Sequence, residues 1–343
     1  MIRVLVVDDS TTVRILLREI LEVDPDIVVI GEAADGELAV SACRRLRPDV
    51  ITMDLVMPRG GVAAIQRIMA EVPTPIVIVS ALASQANDAT VFDGLAAGAV
   101  AVVRGPPSRT HPEFAAYCRE ILLMVKTVAG ISLVRRRQPS NRAKTEADLP
   151  SLALTLVGIG ASTGGPAAVM ELLRGLPKDF TPSIALVQHM TPGFEPGLVE
   201  WLGSGSPLPV RLAKSGMRHP WLGTLVAPDG LHMIVHKGVV RLTSTPVRNG
   251  QRPSVDELFD SMAGWLPRAC AGVLLSGMGT DGADGLAHLR EQGGRTMVQS
   301  EETCVIFGMP GAALNMGAAD VVLPPSGLAE TLIELARVRA KVA

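Results

Sequence analysis

The stretch LTLVGIGASTGGP, Leu154–Pro166, leads a run of β-forming residues directly into a turn of small residues. Within it, GASTG fits the pattern G-x-S-x-G, whose flanking glycines let the chain turn sharply and lift the serine, Ser162, above a parallel sheet. Gly165 and Pro166 then open an apolar helical run, and the N–H groups at such a helix start suit an anion or a developing oxyanion. The same glycines also fit a loose dinucleotide-binding loop in which Ser162 is only a helix cap. Spacing alone leaves these two interpretations nearly even.

The strands that follow favour the first interpretation. A dinucleotide loop needs an Asp or Glu at the end of the next strand, but the predicted strand Ile184–Val187 leads to His189 instead. A third predicted strand, Gly272–Leu275, runs into the glycine-rich turn SGMGTDG, which carries Asp281. Side chains at the carboxyl ends of parallel strands gather at one edge of a sheet. Ser162, His189 and Asp281 can therefore converge there as nucleophile, base and orienting acid.

Other titratable residues compete weakly for these roles. Five histidines lack a strand-end position beside a nucleophile and are predicted to lie at the surface, pack, or bond locally: His111, His219, His232, His236 and His288. Asp229, Asp256 and Asp320 compete with Asp281, but none of them lies in a comparable glycine turn.

Composition indicates a soluble chain of two domains. The chain has 343 residues, 48% of them hydrophobic, and a formal net charge of −2, so nothing points to nucleic acid. Only a short apolar run precedes two aspartates in MIRVLVVDDS, which predicts neither a secretion signal nor a membrane span and therefore a cytoplasmic protein. Four widely spaced cysteines lack metal-ligand spacing and are predicted to be reduced: Cys43, Cys118, Cys270 and Cys304.

The first 129 residues alternate strand and helix signals, which predicts an α/β, doubly wound, flavodoxin-like domain of five strands. The predicted strands are Ile2–Val7, Ile27–Ile30, Val50–Met53, Ile76–Val79 and Val100–Val103. Asp8 and Asp9 follow the first strand, Asp54 follows the third, and Ser80 ends the fourth. Carboxylates gathered in this way are costly unless a cation neutralises them, and Mg²⁺ prefers such oxygens. The pattern therefore predicts a magnesium site that can accept a phosphoryl group.

A second α/β domain follows a linker. Val134–Ser151 loses apolar periodicity and gains Arg, Lys, Pro, Ser and Asn, so the predicted boundaries are 1–129, a linker 130–151, and 152–343. The second part is predicted to be doubly wound and mostly parallel, with Leu328–Ala340 as its closing helix. Met233–Val235 and Val239–Thr243 predict an antiparallel hairpin attached to the otherwise parallel sheet, near a further strand at Thr224–Val226.

The first part resembles a response-regulator receiver domain in its segments VLVVDDS, MDLVMP and IVIVSAL. The resemblance implies that Asp54 accepts a phosphoryl group from the histidine kinase of a chemosensory pathway. It also implies that Asp8, Asp9 and Asp54 bind Mg²⁺, and that the hydroxyl of Ser80 takes part in switching.

Two departures from the receiver pattern affect this expectation. The family's M-P-x-x-D-G loop is MPRGG here, without the acid, and its aromatic switch position is aliphatic. The fifth strand of the family ends in Lys-Pro, whereas this chain has Gly105 at the lysine position. We expect Asp54 still to accept phosphate but signal transmission to be weak, unless Arg104 or Arg109 supplies the missing charge.

The second part resembles the catalytic domain of the protein-glutamate methylesterases of bacterial chemotaxis, CheB. The matching segments are GIGASTGGP, LVQHM, APDGLHM, RPSVDELF, SGMGTDGADGL and CVIFGMPGAAL. The resemblance implies that Ser162, His189 and Asp281 are the triad and that the Met278 amide lies in the oxyanion hole. It implies hydrolysis of glutamate γ-methyl esters, and possibly deamidation of glutamines, on methyl-accepting chemoreceptors. We expect no cofactor for this reaction, a monomer, and only peripheral contact with membrane receptors.

Two other classes of function stay open at this point. One is a phosphorylation-controlled binding protein whose second domain has lost activity, which the presence of Ser162, His189 and Asp281 disfavours. The other is an esterase that acts on a small molecule.

Overall fold

The computed structural model of the chain describes residues 1–58, 60–80, 89–130 and 153–337. The chain folds as two compact units, Met1–Leu133 and Val134–Ala343. Apart from Gly130, the predicted linker 130–151 lies outside the described residues, so the bounds of the three predicted segments stay predictions. Among the helices in the described ranges, none combines the length and the apolar character needed to cross a bilayer.

The first unit is a five-stranded sheet wrapped by helices. Its elements are β1 (Ile2–Val7), α1 (Thr11–Leu21), β2 (Ile27–Ala33), α2 (Gly36–Leu46), β3 (Val50–Met53), α3 (Gly61–Glu71), β4 (Ile76–Ser80), α4 (Ala89–Ala96), β5 (Ala101–Arg104) and α5 (Phe114–Ala129). The strand order is β2-β1-β3-β4-β5, and all neighbours are parallel. Every residue of β3 and β4 is buried because both sheet faces carry helices, which explains their continuous apolar sequence. The predicted doubly wound fold is confirmed.

The second unit contains a larger parallel sheet. Its elements are β6 (Leu156–Ala161), α6 (Gly165–Gly175), β7 (Ser183–Gln188), α7 (Glu195–Gly205), β8 (Val210–Leu212), β9 (Thr224–Val226), β10 (His232–His236), β11 (Val239–Thr243), α8 (Val255–Ala263), β12 (Cys270–Leu274), α9 (Ala283–Glu291), β13 (Arg295–Gln299), α10 (Met309–Asn315), β14 (Val321–Leu323) and α11 (Pro325–Arg337). Seven strands lie in the order β14-β13-β12-β6-β7-β9-β8, with every pairing parallel. The strand order therefore reverses at β6, and such reversals are where α/β sheets bind ligands.

The antiparallel hairpin is present but stands apart from this sheet. Strands β10 and β11 form a separate two-stranded antiparallel sheet, joined through the positive-φ turn Lys237–Gly238. The expectation that the hairpin extends the main sheet is therefore wrong, whereas β9 lies inside that sheet between β7 and β8. Strands β8 and β14 were not predicted from the sequence, because a three-residue edge strand is too short to show a pattern of alternating apolar residues.

Glycines in β6 allow α8 to pack directly on the centre of the sheet. A Cβ atom at Gly160 would lie 2.3 Å from Val255 Cγ1, and one at Gly158 would lie 2.6 Å from Met262 Sδ. Helix α8 buries Leu258 and Phe259 in the same core. The first turn of α8 is thereby brought to the carboxyl end of the central strands, beside the candidate site.

Candidate active site

Ser162 lies directly after β6, at the point where the strand order reverses. Its N–H donates to Ser276 O at 3.0 Å, and its carbonyl oxygen accepts from the Gly165 N–H at 2.8 Å, so the turn is fixed on both sides. Gly164 precedes α6 with a φ of 75°, where an L side chain is strained. A Cβ there would also lie 2.4 Å from Val305 Cβ. The sharp turn predicted from G-x-S-x-G thus depends on glycine at position 164 for both conformation and space.

His189 follows β7, the strand next to β6. Its N–H donates to Ala161 O at 2.8 Å, which ties the two strand ends together. The Gln188 side chain strengthens this link, because its Nε2 donates to Ser162 O at 2.8 Å and to His189 O at 2.9 Å. This role of Gln188 was not predicted from the sequence, although a glutamine at the end of an otherwise apolar buried strand was an available signal.

Asp281 reaches His189 from the turn after β12, on the other side of β6. Its Oδ2 lies 2.9 Å from His189 Nε2, and the two side chains are only 4% and 6% exposed. The N–H of Nε2 is not aligned with a hydrogen-bond acceptor, so the two groups are in close contact without an aligned hydrogen bond. Ser162, His189 and Asp281 therefore lie at three adjacent strand ends of one sheet edge, and their catalytic roles stay predictions.

The Asp281 carboxylate is held by the first turn of α8. It accepts hydrogen bonds from Ser254 Oγ at 2.7 Å and from the Val255 N–H at 2.7 Å, with the Asp256 N–H at 3.4 Å. Burial raises the pKa of this carboxyl, but the His189 contact and these donors outweigh burial and hold the pKa well below its usual range, at about 2. Asp281 therefore stays ionised at neutral pH and can support a positive charge on His189.

His232 supports the Asp281 carboxylate indirectly, through Ser254. Its Nδ1 accepts the Ser254 N–H at 3.1 Å, and its Nε2 lies 3.1 Å from Pro246 O. Because a neutral imidazole has one donor and one acceptor, these partners fix the tautomer with the proton on Nε2. His232 is thus a local hydrogen-bond partner, as the sequence predicted, and it orients the residue that donates to Asp281.

The turn that contains Met278 lies against Ser162. A Cβ atom at Gly277 would lie 2.8 Å from Ser162 Cβ, so no side chain fits between the two. Ser276 Oγ donates to Thr163 O at 2.8 Å and accepts from the N–H of Ile306 at 3.0 Å. These bonds fasten the turn both to the Ser162 loop and to the segment before α10.

Two family models match the chain. The model for the CheB methylesterase matches residues 157–332, and the model for the response regulator receiver domain matches residues 4–110. The chain belongs to the CheB methylesterase family. The resemblance seen in the sequence is thereby confirmed for both parts of the chain.

Similar proteins span nearly the whole chain. One from Geobacter metallireducens, named protein-glutamate methylesterase/protein-glutamine glutaminase 4, is 44% identical over 347 residues, covering 98% of this chain and 99% of that protein. A protein-glutamate methylesterase/protein-glutamine glutaminase from Nitrosospira multiformis is 43% identical over 351 residues and covers 99% of each chain. The crystal structure of the Thermotoga maritima CheB methylesterase catalytic domain is 37% identical with a TM-score of 0.51, covering 54% of this chain and 100% of that one. This chain is therefore an enzyme of the CheB methylesterase type with a receiver domain.

A cleft of about 400 Å³ opens beside His189 in the CheB-type unit. Gln188, Met190, Gly250 and Gln251 are among the residues that line it. Charged residues of both signs also line it, namely Glu195, Asp229 and Arg252. The cleft is open to solvent and adjoins the histidine, so it can admit a side chain that projects from another protein.

In the receiver unit, buried carboxylates lie at adjacent strand ends. Asp8 follows β1 and accepts the Ser10 N–H at 2.8 Å, while Asp54 follows β3 and donates its N–H to Val7 O at 2.9 Å. Burial and the neighbouring charges of Asp54 and Asp9 raise the pKa of Asp8 to about 6. Burial also raises the pKa of Asp54. This crowding of negative charge fits a divalent cation.

The carboxylates do not form a complete ligand cage by themselves. Within the described ranges, no group of three or more His, Cys, Asp or Glu side chains is arranged to hold a metal ion, and Asp9 is exposed. Mg²⁺ binds through one or two carboxylates and keeps several waters, so Asp8 and Asp54 suffice for the fit without a third close carboxylate.

The end of β5 lacks a basic side chain at the lysine position of receivers. Gly105 is there, and its N–H donates to Ser80 O at 2.8 Å. The side chain of Arg109 forms an ion pair with Glu19. Arg104 is the register partner of Ser80 where the backbones of β4 and β5 pair. Ser80 itself is fully buried. The negative charge of Asp9 adds to the effect of burial in raising the pKa of Asp54.

Proposed function

We propose that this chain hydrolyses glutamate γ-methyl esters on methyl-accepting chemoreceptors, releasing methanol, and that it deamidates particular receptor glutamines. The observation that carries the proposal is the 2.9 Å contact between His189 and Asp281 at the strand ends next to Ser162. The substrate class is supported by the names of the relatives from Geobacter metallireducens and Nitrosospira multiformis.

In this proposal, Ser162 Oγ attacks the ester carbonyl carbon while His189 takes its proton. Since Nε2 faces Asp281, Nδ1 is the ring nitrogen that receives this proton. The Met278 amide holds the oxyanion, a role supported by the close approach of Gly277 to Ser162. The protonated His189 returns the proton to the departing methoxide, giving methanol. Water activated by His189 then hydrolyses the acyl-serine to free glutamate, and for a glutamine the departing group is ammonia.

The reaction as proposed needs no metal and no organic cofactor, because the nucleophile, the base and the oxyanion donor all belong to the protein. The open cleft beside His189 suits a glutamyl side chain that stands on a receptor helix better than it suits an enclosed small molecule. A small-molecule esterase therefore stays the second candidate.

We further propose that phosphorylation of Asp54 by the histidine kinase of a chemosensory pathway regulates the esterase. Asp8, Asp9 and Asp54 would hold Mg²⁺, which supplies positive charge for phosphoryl transfer, and the Ser80 hydroxyl would take part in switching. Sensory adaptation in the cytoplasm, by a monomer that contacts membrane receptors only peripherally, completes this proposal.

The test is methanol release from vesicles that carry methylated chemoreceptors. We expect wild type to release methanol, and Ser162→Ala to abolish release while its circular dichroism is unchanged. Ser204→Ala, at an exposed serine in α7, is the matched control and should retain full activity. A simple methyl ester is assayed in parallel. Faster turnover of the simple ester with no release from vesicles would favour the small-molecule esterase instead.

A further inference from the structure

A two-residue turn, Asn249–Gly250, lies at the surface over the buried acids of the site. Arg248 and Gln251 exchange backbone hydrogen bonds of 3.1 and 2.9 Å across the turn. Both turn residues have positive φ, 52° for Asn249 and 74° for Gly250. This is the geometry of a type I′ turn, for which Asn-Gly is the preferred pair. The backbone alone accounts for an Asn here, so the contacts of its side chain need a separate explanation.

The Asn249 side chain reaches two buried carboxylates at once. Its Nδ2 donates to Asp256 Oδ2 at 2.6 Å and lies 3.5 Å from Asp281 Oδ1. The amide oxygen could not take this place, because an oxygen facing two carboxylates would be repelled by both. One amide therefore links the acid that contacts His189 to a second acid behind it.

The second acid, Asp256, is a buried carboxyl group that lies close to Asp281. It is fully buried, and its own N–H lies 3.4 Å from Asp281 Oδ1. Burial and the charge of Asp281 raise the pKa of Asp256, so the two carboxyl groups disfavour each other's ionised form. Asp256 also accepts the Gly285 N–H at 2.7 Å, with Arg248 Nε at 3.9 Å. Asn249 is the side chain whose amide contacts both acids.

We propose that Asn249 is a positioning residue for the esterase reaction, bridging Asp256 and Asp281 so that the Asp281 carboxylate stays aimed at His189. Because Gly250 and Gln251 also line the cleft beside His189, one turn both borders this cleft and contacts Asp281. This inference rests on the proposed function, since its effect is measured on ester hydrolysis.

The test compares turn residues that share a backbone conformation. Asn249→Gly keeps a residue that tolerates positive φ and removes only the amide, and Lys237→Gly makes the same change in the β10–β11 turn, where φ is 48°. For methanol release from methylated receptor vesicles, we expect Asn249→Gly to lower kcat about tenfold and to leave KM unchanged, because a hydrogen bond to a charged group is lost. Lys237→Gly should leave both constants unchanged. Asn249→Asp, which presents a third carboxylate to the pair, should lower kcat further.

A double variant distinguishes a role of Asn249 in positioning Asp281 from a role in stabilising the fold. Asp256→Asn removes the competing charge and retains an oxygen for the Gly285 N–H, so adding it to Asn249→Gly should restore most of the lost kcat. An unchanged kcat in Asn249→Gly, a rise in KM alone, or no recovery in the double variant would overturn the inference. An inactive wild type would instead overturn the proposed function and the inference together.

Discussion

A buried aspartate follows a central strand in each of the two units, yet the surroundings of the two residues shift their pKa values in opposite directions. Asp281 and Asp8 both follow a central parallel strand, and both are almost fully buried. Donors from α8 and His189 surround Asp281 and hold its pKa at about 2, whereas burial and neighbouring carboxylates raise the pKa of Asp8 to about 6. The protein itself supplies the donors that stabilise the Asp281 carboxylate, whereas we expect a cation to stabilise the carboxylates of Asp8 and Asp54. The strand ends thus determine where the aspartates lie, whereas the surrounding hydrogen-bond donors and charges determine their pKa values.

Among the aspartate variants, the largest expected effect comes from removing the charge of Asp281. Asp281→Asn should lower kcat for methanol release by about 10³-fold or more, because His189 loses the negative charge that supports its protonated form. The loss should be smaller than that of Ser162→Ala, which removes the nucleophile. Steady-state kinetics on methylated receptor vesicles measures both. A decrease of less than tenfold in Asp281→Asn would mean that the His189 contact does not matter for turnover.

The Asp281→Asn variant also tests the low pKa of the Asp281 carboxyl. A carboxyl whose pKa is lowered by folding stabilises the native state above its unfolded pKa of about 4, and this contribution disappears as the pH falls towards about 2. The free energy of unfolding of Asp281→Asn should therefore lie below that of wild type at pH 7, with the gap narrowing between about pH 4 and 2. Urea unfolding monitored by tryptophan fluorescence reports on this unit, since Trp201, Trp221 and Trp265 all lie in it. A constant gap across that range would contradict the assignment.

A smaller effect is expected from crowding the turn beside Ser162. Gly277→Ala would place a Cβ 2.8 Å from Ser162 Cβ and 2.3 Å from Met309 Sδ, which forces the turn away from the serine. We expect kcat to fall about 10²-fold, the scale of a lost oxyanion donor. Gly203→Ala in α7 is the control, because its Cβ would meet nothing within 4 Å. Equal activity in the two variants would show that the turn does not act on the reaction.

In the receiver, removing an acid should stabilise the protein instead. Asp8→Asn should raise the free energy of unfolding of this unit by ~2 kcal/mol at pH 7 without Mg²⁺, because it removes a carboxylate that burial and the neighbouring charges of Asp54 and Asp9 destabilise. The gain should be absent below about pH 4, where the carboxyl is protonated in both the folded and the unfolded protein, and it should build up as the pH rises from about 4 to about 6. Calorimetry with and without Mg²⁺ measures this, and Mg²⁺ should stabilise wild type but not the variant. Stabilisation of both by Mg²⁺ would place the ion elsewhere.

The smallest expected effect concerns the missing receiver lysine. Beryllofluoride with Mg²⁺ should activate the wild-type esterase only modestly, because Gly105 offers no ammonium to a phosphoryl group on Asp54. Gly105→Lys should increase the activation a few-fold, since it supplies that charge. Arg104→Ala tests whether the neighbouring arginine substitutes for the lysine. Strong activation of wild type that survives Arg104→Ala would show that position 105 does not limit the switch.

Most of the architecture could be predicted because its signals are local. Alternating strands and helices, the glycine turn around Ser162 and the acids that end β1 and β3 are each read within about a dozen residues of chain. The isolation of the β10–β11 hairpin could not be predicted, because the same alternating pattern serves an attached or a separate pair of strands. The role of Gln188 was missed for a similar reason: its two acceptors are backbone carbonyl groups, which leave no mark on a sequence.

The sequence by itself determined the family, the order of the strand ends and the residues that follow them, since these depend on short motifs. Only the tertiary structure decided which groups surround each acid. Asp281 takes its donors from Ser254 and Val255, 27 and 26 residues away along the chain, and its link to Asn249 spans 32 residues. Desolvation and hydrogen bonding act through space, so two aspartates with equivalent strand-end positions acquire opposite pKa shifts.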